Sequence, residues 1–371
     1  MVRLRALGMD IQRRCVWLRA AARPDGSVRQ PVVKRKDNVN IQGKRILVIG
    51  GAGLIGSHVV EELLKTDVAK VVVYDNFCRG LRENLQTALR DQRVEIFPLG
   101  GDVLHGDILD VAVKQSDAVF HLAALWLLHC HEFPQSAFDV NIRGTFNVLE
   151  ACRRNRIERL VYSSSASVYG DALEEPMTES HPFNCWTFYG ATKIAGEAMM
   201  KAYHKRYGLA GVGLRYMNVY GPRQDYRGAY IAVMMKALDA IDRDEPPVVF
   251  GDGSQAYDFV HVQDVARANI CAMASDCPIG FFNVGRGVKT TVKELVELLL
   301  KLTGREDLGI NYKPAGEYFV TNRVGCPKAA AEKLGFRWSI DLEEGMRSLI
   351  DWRKRHQEEV AIRQKSAGVE R

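Results

Sequence analysis

Residues 44–58 read KRILVIGGAGLIGSH. KRILVIG (44–50) is a near-continuous apolar run, the pattern of a strand buried on both faces. Leu54 to Lys65 then repeats its apolar residues at helical spacing. Between them stand Gly50, Gly53 and Gly56, in the pattern G-x-x-G-x-x-G. A glycine triplet alone is weak evidence. This one follows a buried strand and opens a helix, where backbone amides at the helix N-terminus can receive a pyrophosphate. Gly50 permits the tight turn, Gly53 lets phosphates approach the backbone, and Gly56 lets the helix pack closely on the sheet. A second apolar run, KVVVYD (70–75), ends in Asp75. A carboxylate there accepts hydrogen bonds from the adenosine ribose hydroxyls and repels a 2′-phosphate. The stretch therefore predicts a dinucleotide site that favours NAD over NADP, with Arg79 nearby as the residue that could serve a phosphate.

Outward from this motif, strands and helices alternate. Further strands are expected at 94–97, 117–122, 159–165 and 211–216, with helices over 135–155 and 187–207. That order predicts an α/β fold, a doubly wound parallel sheet covered by helices on both faces. Beyond residue 224 the regularity loosens. Helices are expected at 229–241 and 263–275, then at 292–302 behind a capping box of Thr291 and Glu294, and finally at 342–355. The expected organisation is a basic extension (1–42), a Rossmann domain (43–220, with a strand and helix returning near 257–275), a smaller α/β substrate lobe (221–355) and a charged tail (356–371).

The run RLVYSSSASVYG (159–170) ends a buried strand with four serines in five positions. Downstream, YGATK sets Tyr189 and Lys193 four apart, on one helical face. A phenol has a pKa of roughly 10, and a neighbouring ammonium and a positive nicotinamide both favour its phenolate. Such a phenolate can take a hydroxyl proton while hydride leaves the same carbon, with a serine hydroxyl holding the oxygen. This chemistry needs no metal.

Bulk composition bounds the rest. The chain has 371 residues and a net charge of +6. Residues 1–40 carry ten Lys/Arg against three Asp, so the remainder stands at −1. The basic character belongs to the extension, and no nucleic-acid footprint is expected on the body. The longest apolar stretch, Ala118 to Cys130, is broken by His121 and His129 and is too short to span a bilayer. Eight scattered cysteines without a CxxC suit a reducing cytoplasm. HCHE (129–132) has no matching second cluster, so no metal is expected.

Taken in order, GGAGLIGSH, YDN (74–76), GDILD (106–110), HLAA (121–124), NIRGT (141–145), SSSASVYG, YGATK, RYMNVYGPRQ (215–224) and GDGSQAYDFVHVQDVA (251–266) resemble the NAD-dependent epimerase/dehydratase family of extended short-chain dehydrogenase/reductases. The resemblance covers about 45–355. It implies NAD held by Gly50, Gly53, Leu54, Ile55, Gly56, Asp75 and Asn76, with Asp107 and Ile108 at the adenine. Leu122, Ala123, Ala124, Asn141 and Ser163 would line or support the cofactor, and Tyr189 and Lys193 would bind its nicotinamide ribose. Ser165, Tyr189 and Lys193 would be catalytic. Asn218 would contact a sugar nucleotide, most often UDP-linked, and a homodimer paired through helices is implied.

Subclasses of the family differ just after the catalytic hydroxyl. Dehydratases typically place Asp-Glu there, and uronate decarboxylases a Glu two residues on. Here the positions hold Ala166 and Ser167, which cannot do acid–base work. The resemblance therefore points to 4-epimerisation of a UDP-hexose or UDP-uronic acid through a 4-keto intermediate. The alternatives are a reductase, dehydrogenase or dehydratase of the same family, or a non-catalytic dinucleotide-binding regulator. Tyr257 stands where relatives often have a diphosphate-binding Arg, and Arg223 or Arg323 is the candidate substitute. Trp126 and His129 either narrow the sugar pocket or pack as core, and core packing is favoured for Trp126.

Overall fold

In the computed structural model, which describes residues 41–226, 232–315 and 320–367, the opening apolar run is strand β1 (Arg45–Ile49), fully buried over its last four residues. It feeds helix α1 (Leu54–Leu64), then β2 (Lys70–Tyr74), β3 (Val94–Ile96), α2 (Gly106–Lys114) and β4 (Ala118–His121). The helical stretch expected over 135–155 is composite. Short helices α3 (Leu127–Glu132) and α4 (Pro134–Ala137) precede a π-helical turn at Phe138–Gly144, which runs into α5 (Thr145–Arg154). Strand β5 (Arg159–Ser165), α6 (Phe188–Tyr207), β6 (Gly211–Tyr216) and β7 (Asn218–Tyr220) follow.

The second half contains α7 (Ala232–Asp242), β8 (Val248–Phe250), β9 (Ala256–Tyr257), β10 (Phe259–His261), α8 (Val262–Ala274), β11 (Ile279–Val284) and β12 (Thr290–Thr291). It ends with α9 (Val292–Thr303), β13 (Asn311–Lys313), β14 (Asn322–Arg323), α10 (Lys328–Leu334), α11 (Leu342–Arg355) and α12 (Gln357–Ser366). The Thr291–Glu294 capping box opens α9 as expected.

Seven strands form one parallel sheet in the order β11-β6-β5-β4-β1-β2-β3. The chain winds outward from β1 through β2 to β3, then returns to β4 on the other side. The crevice beyond the ends of β1 and β4 is thus a topological switch point, where open α/β sheets bind ligands. Two apolar layers cover the sheet. One packs α1 and α8 around Val48, Val73, Phe120 and Val161, and the other packs α2 and α5 around Leu47, Val72, Val119 and Tyr162. A separate core joins α7, α9 and α11 through Met235, Leu238, Leu295, Leu299, Met346 and Leu349.

Residues 1–40, nearly all of the expected basic extension, lie outside the described residues. The segment expected as a charged tail departs from that expectation, since it folds as α12. Its sequence, QEEVAIRQKS, has too few apolar residues for a helical stripe, and its seat depends on Val360 and on a buried arginine, Arg363.

Candidate active site

A cleft of ≈ 350 Å³ opens over the carboxyl ends of β1, β4 and β5. Its floor is the glycine loop. Gly50 has φ +81°, and a Cβ there would lie 2.6 Å from the Ala123 amide nitrogen. Gly56 packs on the loop itself rather than on the sheet, since its Cβ would lie 2.1 Å from the Gly50 carbonyl oxygen. At Gly53 a Cβ would meet only the Gly50 oxygen, at 3.4 Å. The space above this helix N-terminus is therefore open to a ligand. Leu54, Ile55, Leu122, Ala123 and Ala124 line the same cleft.

Asp75 leaves β2 and ties down the loop. Its carboxylate accepts 2.8 Å hydrogen bonds from the amides of Ala52 and Phe77, and burial raises its pKa. Each oxygen keeps a lone pair that can face the cleft. Asn76 lines the cleft beside it. Asp107 and Ile108, expected at the adenine, do not. They sit in the first turn of α2 outside the cleft, while Asp102 and Val103 line it. The stretch GGDVLHGDILD contains Gly-Asp twice, and the chain turns into the cleft at the first and opens a helix at the second. Arg79 is committed elsewhere than to a phosphate. It makes a bidentate pair with Asp225 at 2.7 and 3.0 Å and lies 4.5 Å above the Trp126 ring. Trp126, for which core packing was favoured, is half-buried: it packs against Leu125, Cys130 and Ala137, lies tilted against His129 at 4.8 Å, and also forms a wall of the cleft.

The serine run ends β5 with each hydroxyl assigned. Ser163 Oγ meets the Tyr216 hydroxyl at 3.0 Å, and Ser164 Oγ donates to Glu197 at 2.6 Å. Ser165 Oγ accepts from the Ser167 amide at 3.1 Å, and its hydroxyl opposes the rise in the Tyr189 pKa. Lys193, one turn on, is buried and donates to the Ser163 carbonyl at 2.8 Å. Ser163, Ser165, Tyr189 and Lys193 all line the cleft.

Burial dominates their titration. It pushes the Tyr189 phenol up to about 12, against the Ser165 hydroxyl and the charges of Arg79 and Arg323. It brings the Lys193 amine down to about 8. The protein alone thus keeps Tyr189 protonated, and further positive charge in the cleft is needed to make it a base. Asn141 is one layer back. In the π-helical turn it accepts from the Leu125 amide at 2.7 Å and donates to the Leu125 carbonyl and Thr192, so it positions the cleft wall without lining it.

Of the expected substrate residues, Asn218 lines the cleft, and its buried side-chain NH2 has no partner among the described residues. Arg223 also lines it, paired with Glu61 of α1 and 3.2 Å from Ser57 Oγ. Tyr257 does not. It is buried in the second core and donates to the Val320 carbonyl at 2.8 Å. Its neighbour in register, Arg323 on β14, is buried instead, 3.4 Å from Ser167 Oγ. Polar cleft-lining residues that sequence reasoning missed include Asn84, Asp102, Asp225, Arg363 and Ser366. They come from a 3-10 turn, loops and a polar helix, which carry no periodic signal.

The carboxylates that line the cleft are Asp75, Asp102 and Asp225. Asp102 accepts from the Leu104 amide and the Asn76 side chain, and Asp225 holds Arg79. None belongs to the segment that follows Ser165.

The model of the NAD dependent epimerase/dehydratase family matches residues 46–285. The UDP-glucose 4-epimerase of Mycolicibacterium smegmatis is 33% identical over 313 residues, covering 83% of this chain and 98% of that protein. The structure of UDP-glucose 4-epimerase from Thermotoga maritima with UDP-glucose superposes with a TM-score of 0.78 at 32% identity, covering 84% of this chain and 99% of the other. UDP-glucuronic acid 4-epimerase from Bacillus cereus, in complex with UDP-glucuronic acid and NAD, gives 0.76 at 27% identity, with 84% and 99% covered.

Proposed function

The chain belongs to the NAD-dependent epimerase/dehydratase family, and on that premise we propose that it interconverts C4 epimers of a UDP-linked hexose or uronic acid. NAD fits the cleft. The open helix N-terminus at Gly53 offers amides to a pyrophosphate, Asp75 stands at the ribose position, and Lys193 and Tyr189 stand at the far end. When bound, NAD supplies a hydride acceptor and a positive charge beside Tyr189. Tyr189 then takes the proton of the sugar C4 hydroxyl, and Ser165 holds that oxygen and relays the proton. Lys193, held on the Ser163 carbonyl, would bind the nicotinamide ribose. After the 4-keto sugar turns over in the site, the hydride removed from C4 would return to the opposite face of that carbon while the same phenol returns the proton to O4.

One observation carries epimerisation over dehydration or decarboxylation. The positions after Ser165 are a buried Ala166 and Ser167, whose hydroxyl meets Arg323. With no carboxylate there, nothing is placed to expel water or to assist loss of CO2. The test is chromatography and mass spectrometry of products from UDP-glucose, UDP-galactose, their N-acetyl forms and UDP-glucuronate. We expect interconversion at constant mass without net NADH. Tyr189→Phe should retain NAD and lose about 10²-fold or more of turnover. Products lighter by water or CO2, or stoichiometric NADH, would overturn the assignment.

Two further expectations go with this reading. A homodimer is supported by an aromatic patch on α5, α6 and the turn before them, where Phe138, Phe146 and Tyr207 are 47%, 45% and 52% exposed. Sedimentation should show a dimer that Phe146→Glu converts to monomer. A cytoplasmic location suits the free thiols of the seven cysteines among the described residues. No helix among those residues is long and apolar enough to cross a membrane.

A further inference from the structure

The C-terminal helix α12 reaches the dinucleotide cleft from the opposite half of the molecule. Three side chains seat it. Val360 is buried in the second core, Gln364 donates to Asp239 of α7 at 3.0 Å, and Arg363 lies 5.0 Å from the Trp352 ring of α11. Arg363 is 2% exposed, and both it and Ser366 line the cleft beside the glycine loop. Its guanidinium also holds Glu359 at 3.2 Å.

The same guanidinium donates to Asn84 Oδ1 at 2.5 Å. Asn84 donates in turn to the Ala52 carbonyl at 2.7 Å, and the Ala52 amide is held by Asp75 at 2.8 Å. A continuous chain of hydrogen bonds thus runs from α12 through Asn84 into the glycine loop and on to the carboxylate at the ribose position. A second tie, Arg79 over the Trp126 ring to Asp225, lines the same cleft from the β2 side.

We propose that α12 is a wall and clasp of the NAD site, with Arg363 as a positioning residue that fixes the glycine loop through Asn84 and keeps the cofactor resident between turnovers. The proposal rests on the assignment of this cleft to NAD. An epimerase returns its hydride in every cycle, so a cofactor that leaves between half-reactions ends the cycle unfinished. A helix that bridges the second core and the glycine loop, with two side chains lining the cleft, holds the loop in the shape that receives the dinucleotide. Arg363 contributes charge-assisted hydrogen bonds to that hold.

The test uses full-length protein loaded with NAD and freed of excess cofactor. Displacement is followed on adding fluorescent etheno-NAD, beside thermal melting with and without NAD. Arg363→Met keeps the apolar stem against Trp352 and removes the hydrogen bonds. We expect it to release NAD about tenfold faster or more, with a smaller NAD-induced rise in melting temperature than the wild type shows. Arg363→Lys should restore part of the retention. Equal release rates in wild type and Arg363→Met would overturn the clasp. So would a fall in cofactor-free melting temperature with Lys no better than Met, which would mark a purely structural role. Wild-type protein that takes up no NAD would instead overturn the cofactor assignment itself.

Discussion

At the scale of single residues, the glycine loop separates two kinds of requirement. Gly56 is needed by the protein, because an added Cβ would strike the Gly50 carbonyl at 2.1 Å. Gly53 is not required by the protein, because its Cβ would meet protein only at 3.4 Å, and we propose that the ligand requires it. Gly53→Ala should therefore melt like wild type without NAD and bind NAD weakly, whereas Gly56→Ala should lose both stability and binding. Thermal melting with and without NAD checks this, and a destabilised cofactor-free Gly53→Ala would contradict it. The Tyr189 and Lys193 pair was legible in the sequence because its spacing follows helix geometry, and the family resemblance singled out Ser165 from the serine run. The pair's electrostatics were not. Sequence logic credits Lys193 with favouring the phenolate, but Lys193 sits on the Ser163 carbonyl with its own pKa lowered. The charges that oppose burial at Tyr189 come from Arg79 and Arg323, far apart in the chain.

At the scale of elements, β5, β6 and α6 are joined behind the site by a buried ion pair. Arg215 of β6 pairs with Glu197 of α6 at 2.7 Å, both almost wholly buried. Glu197 also receives Ser164, and Arg215 reaches the Tyr169 hydroxyl, which donates to Asn283. Removing one partner strands a buried charge, at a cost of about 3–5 kcal/mol. Glu197→Gln should lower the denaturation midpoint strongly, and the Glu197→Met/Arg215→Met double variant should recover much of the loss. Equal loss in single and double variants would show that packing, rather than stranded charge, sets the cost. The strands themselves were legible as apolar runs. The network was not, since nothing in sequence marks which charged residue of a helix turns inward.

Across the whole molecule, buried titrating groups set the response to acid. Burial lowers His58 and His121 to about 3 and His261 to about 4. Arg223 facing His58 and Lys193 facing His121 push the same way, while Asp264 opposes at His261. The unfolded chain thus binds more protons than the native state below about pH 6.5, and stability falls as pH drops through that window. Asp258, raised to about 6 by burial, works in the opposite direction over the lower part of it. Three histidines outweigh Asp258 and Asp75, both raised by burial, so the melting temperature should fall steadily from pH 7 to pH 5. A flat or rising profile would contradict this balance. The sequence by itself determined the parallel sheet and the dinucleotide loop, because each is written in local periodicity and fixed spacing, while the choice of Ser165 beside Tyr189 and Lys193 came from the family resemblance. Only the tertiary structure decided which Gly-Asp enters the cleft, that Tyr257 leaves the site while Arg323 lies against Ser167, and that the polar C-terminal segment folds back onto the glycine loop. Those outcomes depend on which surfaces meet once the two cores have packed, and burial and pairing at such meetings leave no periodic trace in the chain.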